Sequence, residues 1–198
     1  MIILLLTFAY LLGSIPSALI VGKIARGIDI REHGSGNLGA TNVGRILGKK
    51  AGLIVTILDV TKGAAAVLLP VLFQTDAINP LFLGIAAVIG HMYPVFAGFR
   101  GGKAVATSAG IILAYAPLAF LILAIAFFST LKITKYVSLS VIISVTIGVI
   151  YSIIDTLWIS GNWHLLVLLT ILEIFILYRH RTNITRIKEG TEPKVSWL

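Results

Sequence analysis

Residues 104–131 read AVATSAGIILAYAPLAFLILAIAFFSTL, 28 residues without a charge. As a single helix at 1.5 Å per residue this stretch would run ~42 Å, well past the ~30 Å hydrocarbon core of a bilayer. Divided at Tyr115-Ala116-Pro117, it gives two segments of roughly 21 Å, each too short to cross without local thinning. Length does not choose between these readings. The charges on either side do.

Working outward, the other apolar stretches run from Ile2 to Gly22, Ala51 to Phe73, Ala77 to Phe99, Tyr136 to Ile154 and Trp163 to Tyr178. The second is broken only by Asp59 and Lys62, the third contains His91, and the last carries Glu173. Suppose the N-terminus lies outside and residues 104–131 turn once. Every Lys and Arg except Lys62 then falls on one side: the loop from Lys23 to Lys50, Arg100 with Lys103, Lys132 with Lys135, and the tail from Arg179 to Lys194. The opposite loops, Gln74 to Pro80 and Asp155 to Asn162, contain none. A single crossing would instead put Lys132 and Lys135 opposite the basic tail. Basic residues accumulate on cytoplasmic loops, so the pattern predicts an all-α polytopic membrane protein of seven transmembrane helices. Its N-terminus is expected outside, its C-terminus in the cytosol, and its active site at the cytosolic face.

Composition agrees. The chain is 58% hydrophobic and 12% charged, too few charges to cover a water-soluble globule of 198 residues. The first stretch lacks a basic start and has the ~20 residues a span needs, so it is read as a retained span, not a signal peptide. There is no cysteine, which excludes disulfides, thiolate metal sites and a thioester on the protein. No repeat, low-complexity tract or soluble domain interrupts the pattern, and residues 1–198 are read as one integral membrane domain. The net charge of +8 is thereby placed at one membrane face. There it serves as a topology signal or receives an anionic substrate.

Three segments on that face carry polar chemistry. The first is GSGNLGATNVGR, 34–45. Its glycines permit left-handed backbone and hence a nest of N–H groups around an anion. Ser35, Thr41 and Asn42 add donors, and Arg45 offers a fork that fits phosphate. The plainer reading is a glycine-rich turn between two spans. GSGNLG matches the dinucleotide fingerprint in form only, since no strand precedes it and Asp59 lies inside an apolar span. The second is HMYPVFAGFRGGKAVAT, 91–107, where Pro94 ends a helix, Gly101-Gly102 permit close backbone approach, and Lys103 supplies a point charge. It is not a Walker A loop: Ala97 stands at the first glycine position and Ala104 at the magnesium-binding hydroxyl. His91, alone in an apolar helix, is expected to make an internal hydrogen bond. The third is the tail RHRTNITRIKEGTE, 179–192, which reads as a lipid-headgroup anchor or, through His180, Asn183 and Arg186 at i, i+3 and i+6, as one face closing over a phosphate. Within the bilayer, Asp59 and Lys62 are spaced to pair and fix packing near the site, and Glu173 awaits a partner.

Together GSGNLGATN, the 91–107 run and the 179–192 tail resemble the three cytosolic signatures of the PlsY family of acyl-phosphate:glycerol-3-phosphate acyltransferases. The resemblance implies transfer of a fatty acyl group from acyl phosphate to position 1 of glycerol 3-phosphate. The product would be lysophosphatidic acid, the first step of bacterial phospholipid synthesis, made at the cytoplasmic (inner) membrane. It implies no cofactor, metal or nucleic acid, and contact with a soluble partner, the acyl-phosphate synthase PlsX. The residues carried over as catalytic are Ser35, Asn42, Arg45, Lys103, His180 and Asn183. Those carried over as substrate-binding are Gly34, Gly36, Asn37, Gly39, Thr41, Gly101, Gly102, Thr107, Arg186 and Glu192.

The residue chemistry is compatible with direct attack and no acyl-enzyme. Acyl phosphate is a mixed anhydride with a good leaving group, and the chain lacks the H-x4-D pair of other glycerolipid acyltransferases: the residue five after each histidine is Leu38, Phe96, Leu169 or Thr185. Arg45 and Lys103 are expected to hold the phosphates, Ser35, Asn183 and His180 to orient glycerol 3-phosphate, and the Gly101-Gly102 amides to stabilise the leaving group. A transporter should place its basic residues at the midplane and show repeats. A CDP-alcohol phosphotransferase needs an aspartate-rich metal site, and the chain has eight scattered acids.

Overall fold

The computed structural model describes residues 1–195, which form helices and connecting turns with no strand among them. The chain divides into two compact units, Met1–Tyr115 and Ala116 onward, and the boundary falls inside the uncharged 104–131 stretch.

In the first unit, α1 (Ile2–Ser14) and α2 (Ser17–Arg26) share one apolar stretch interrupted at Ile15-Pro16. Proline brings no N–H to continue the ladder, so the helix breaks there. α2 ends on Gly27 in the left-handed conformation (φ 67°), with Lys23 and Arg26 in its last turn against the negative end of the helix dipole. A short amphipathic α3 (Ala40–Leu47) follows, then α4 (Lys49–Leu72), α5 (Pro80–Met92) and α6 (Val105–Tyr115). Asn79 caps α5 by accepting from the Leu81 amide at 3.0 Å, and Pro80 occupies the first turn, where its missing N–H costs nothing. Ala18, Ile30, Val43 and Val55 form the core under the first loop, and Leu5, Ala9, Leu83 and Ala87 a second core between α1 and α5.

Small residues let these helices touch backbone to backbone, the packing mode that works where lipid removes the hydrophobic drive. At the α4–α6 crossing a Cβ on Gly63 would overlap the Thr107 carbonyl, and one on Gly110 the Val60 carbonyl.

The second unit contains α7 (Pro117–Thr134), α8 (Val137–Ile154) with a π-turn over Asp155–Ile159, α9 (Trp163–Arg179) and α10 (Arg181–Lys188). Ser144 Oγ donates to the Leu123 carbonyl at 2.7 Å, joining α8 to α7. The partner of Glu173 is Thr146, whose hydroxyl donates to Oε1 at 2.7 Å across α8 and α9. On α7, Leu118, Leu121, Ile125 and Phe128 are all exposed on one helical face, an arrangement suited to lipid and not to water.

Among the described residues five stretches are long and apolar enough to cross a membrane: Ile2–Arg26 through its break, Lys49–Leu72, Pro80–Ala97, Pro117–Thr134 and Val137–Ile159. A sixth is α9 taken with α10, which meet at a 59° bend. The charge pattern predicts seven. The difference is α6, whose 11 residues reach only ~16 Å. The 28-residue stretch does break at Ala116, as one of its two readings required, but unequally: the helix before the break has 11 residues and the one after it 18, running past the stretch to Thr134.

Candidate active site

The loop before α3 is organised by one amide. Asn42 is 2% exposed; its Oδ1 accepts from the Ser35 amide at 2.9 Å, and its Nδ2 donates to the carbonyls of His33 (3.0 Å) and Asn37 (3.2 Å). Gly34 and Gly36 turn around it with φ of 60° and 68°. A side chain at Gly34 would strike the Asn42 amide. The loop therefore closes on itself and leaves Ser35, Thr41 and Arg45 exposed. Among the described residues the Ser35 hydroxyl and the Arg45 guanidinium hold no hydrogen-bond partner. Upstream, Arg31 donates to both Asp29 oxygens, the shortest contact 2.6 Å, and also to the Ala97 carbonyl at 3.1 Å. Hydrogen bonds from the Arg31 side chain and amide hold the Asp29 carboxyl at about 2.

Asn42→Asp tests this arrangement. The carboxylate still accepts from the Ser35 amide but sets negative charge against the Ile30, His33 and Asn37 carbonyls, which have lost their donor, a buried mismatch costing about 1–3 kcal/mol. The melting temperature is expected to fall, and glycerol 3-phosphate affinity with it.

The second loop is built on His91. Its carbonyl accepts from the Gly102 amide at 3.2 Å, and its Nδ1 lies 3.1 Å from Thr107 Oγ1. A Cβ at Gly101 would overlap the His91 carbonyl, and one at Gly102 the His91 ring. The two glycines are thus required by packing inside the protein. Phe99 (φ 60°) and Ala104 (φ 57°) flank the turn in left-handed conformations that non-glycine residues rarely adopt, a strain that clusters at functional sites. Lys103 is half-buried between them.

Beneath both loops, Asp59 Oδ1 accepts from Ser17 Oγ and Lys62 Nζ, each at 2.8 Å, and lies 3.7 Å from His91 Nδ1. Lys62 Nζ also donates to the Ile15 carbonyl at 2.9 Å, exposed by the α1–α2 break.

The second unit holds a separate cluster around Glu192. Its Oε1 accepts from Asn183 Nδ2 (2.6 Å) and Ser138 Oγ (2.7 Å), and its Oε2 from Arg186 Nε (2.8 Å). His180 sits at the 59° bend, buried, its Nδ1 2.8 Å from the Ile176 carbonyl. Burial pushes the Glu192 carboxyl up, but the bonds from Asn183, Ser138 and Arg186 outweigh it and hold the group below its ordinary value. A carboxyl depressed in this way stabilises the fold above its unfolded value and stops doing so as pH falls through the folded one. Wild type is expected to melt above Glu192→Gln at pH 7, with the gap closing as pH drops below the ordinary glutamate value of 4.5.

Compared with known proteins, the chain matches the family model described as "Glycerol-3-phosphate acyltransferase" over residues 3–190. The chain belongs to the glycerol-3-phosphate acyltransferase family. Proteins of that name from Bacillus subtilis and Listeria monocytogenes are 56% and 54% identical to it, the first over the whole of both chains, the second over 100% of this chain and 98% of its own. Among solved structures it resembles the glycerol 3-phosphate form of PlsY, an integral membrane glycerol 3-phosphate acyltransferase. That match has 38% identity and a TM-score of 0.86, covering 98% of this chain and 95% of that one. The lysophosphatidic acid form of PlsY matches with a TM-score of 0.85.

In this glycerol-3-phosphate acyltransferase the residues singled out in the sequence fall into three groups. Gly34, Gly36, Asn37 and Gly39 form the backbone around Asn42, which presents Ser35, Thr41 and Arg45. Gly101, Gly102 and Thr107 pack on His91, and Thr107 is fully buried. In the second unit Asn183 and Arg186 both donate to Glu192. His180 caps α10 just after the bend, its carbonyl accepting from the Ile184 amide at 2.9 Å, so His180, Asn183 and Arg186 follow one another along α10, where Asn183 and Arg186 meet through Glu192. Asn42 and Thr107 act within the protein where donors to a ligand were expected. Two residues went unnoticed, Ser17 and Ser138. A Pro16-Ser17 pair inside an apolar stretch marks a break in a span; Ser138 carries no comparable mark.

Proposed function

We propose that this family member transfers a fatty acyl group from acyl phosphate to the 1-hydroxyl of glycerol 3-phosphate, releasing lysophosphatidic acid and inorganic phosphate. The observation that carries the reading is the pre-set 34–45 segment, which presents the Ser35 hydroxyl and the Arg45 guanidinium without hydrogen-bond partners among the described residues. Family membership and the PlsY forms with glycerol 3-phosphate and lysophosphatidic acid support it. The substrate hydroxyl attacks the acyl carbonyl, the bond from that carbon to the phosphate oxygen breaks, and the hydroxyl proton passes to a substrate phosphate oxygen. Arg45 and Lys103 neutralise phosphate and Ser35 orients glycerol 3-phosphate; the Gly102 amide, expected to stabilise the leaving group, is already given to the His91 carbonyl and instead shapes the turn that carries Lys103. In the second unit Asn183, Arg186 and Glu192 form a network of their own, with His180 at the bend before it. Neither metal nor cofactor takes part.

The reading includes seven crossings of a bacterial cytoplasmic membrane, N-terminus out and C-terminus in, with α6 as a short span and PlsX delivering the donor on the cytosolic side. A chain with no cysteine is a ready background for single-cysteine accessibility labelling of that topology. The direct test of function incubates the purified protein with labelled glycerol 3-phosphate and, in parallel, palmitoyl phosphate, palmitoyl-CoA or acylated carrier protein. Labelled lysophosphatidic acid from acyl phosphate alone is expected. Equal or faster product from a thioester would overturn the donor assignment.

A further inference from the structure

The Asp59–Lys62 pair lies in the first unit, below the loops assigned to the phosphates, and takes no part in the chemistry proposed for them. A pair so buried is weak evidence of stabilisation, since neutral or apolar replacements of buried ion pairs often cost nothing. Charges kept within a span usually serve a function. What this pair touches indicates which. Through Ser17 it grips the first residue of α2, the helix that runs into the segment bearing Ser35 and Arg45. Through His91, 3.7 Å from Asp59 Oδ1, it reaches the residue on which Gly101 and Gly102, the two residues before Lys103, are packed. Leu38 from the first loop and Gly102 from the second line the same small cavity as Asp59, Lys62 and His91.

We infer that Asp59, backed by Lys62, is a positioning residue for acyl transfer: it fixes the Ser35–Arg45 segment and the Gly101–Lys103 segment relative to each other. Lys62 compensates the carboxylate and ties it to the carbonyl freed at the α1–α2 break. The inference rests on the reading of these two loops as the phosphate-holding ones.

The test compares wild type, Lys103→Ala, Asp59→Asn and the charge-neutral double variant Asp59→Asn/Lys62→Met. Steady-state kinetics with glycerol 3-phosphate and palmitoyl phosphate are measured beside thermal melting. Asp59→Asn strands a buried ammonium and is expected to lose stability, so the double variant decides. It is expected to melt close to wild type while kcat/KM falls between about 10- and 100-fold, the cost of misplaced binding groups, with a raised KM for glycerol 3-phosphate. Wild-type kcat and KM in the double variant would overturn the inference. So would a loss that matches its folded fraction with KM unchanged. If instead wild type makes no product, or Lys103→Ala is as active as wild type, the reading of the loops fails and the inference with it.

Discussion

Arg45→Ala is expected to reduce kcat/KM for acyl phosphate and glycerol 3-phosphate by about 10²–10³-fold, the usual loss when one pre-organised charge-stabilising donor is removed. The melting temperature should not move. Arg45 is exposed on α3, which follows a loop whose shape is set by Asn42, and forms no hydrogen bond or ion pair among the described residues, so its removal leaves nothing unsatisfied. Arg45→Lys separates charge from geometry. Lysine keeps the charge but not the two-pronged fork that matches phosphate, and an intermediate loss is expected. A fall in melting temperature with little kinetic effect would instead assign Arg45 to the scaffold.

Gly110→Leu is expected to unfold the first unit or cost it about 3 kcal/mol or more, the upper end for overpacked sites. The neighbour of Gly110 is the Val60 backbone carbonyl, held in the α4 ladder and unable to rotate away. α4 and α6 would have to part, and Thr107, three residues earlier on α6, would move off His91. Gly148→Ala in the second unit is the informative contrast. The nearest atoms to its new Cβ are the branched end of the Leu123 side chain, which can shift rotamer, so a loss of a few tenths of a kcal/mol is expected there. Thermal unfolding in detergent, followed by size-exclusion profile, distinguishes the two. Similar profiles would mean that the α4–α6 crossing is not as close as described.

The contrast between what the sequence showed and what it hid follows physical range. The Asp59–Lys62 pair was legible because i,i+3 spacing is a local property of a helix. Its third member, Ser17, lies 42 positions away and could not be paired without the fold. The break in the long apolar stretch was legible from the charges beyond its ends, whereas the break at Pro16 was masked by apolar residues on both sides. Asn42 and Thr107 were read as donors to a ligand because their side chains can donate; which partner receives the bond depends on burial, and both are inside. Gly101 and Gly102 were taken as room for a substrate, and that room is occupied by His91. In the tail the i, i+3, i+6 spacing was legible because it is local to one helix, whereas Glu192, which joins Asn183 to Arg186, lies beyond the end of that helix and could not be paired without the fold.

The chemistry comes down to whether the acyl group ever resides on the protein. A single-turnover, rapid-quench experiment with acyl-labelled palmitoyl phosphate and glycerol 3-phosphate measures this directly. Label passing from donor to lysophosphatidic acid with none bound to protein at any time is the expected result. A transient acyl ester on Ser35, formed and discharged at the rate of turnover, would contradict direct attack and make this loop a nucleophile's seat.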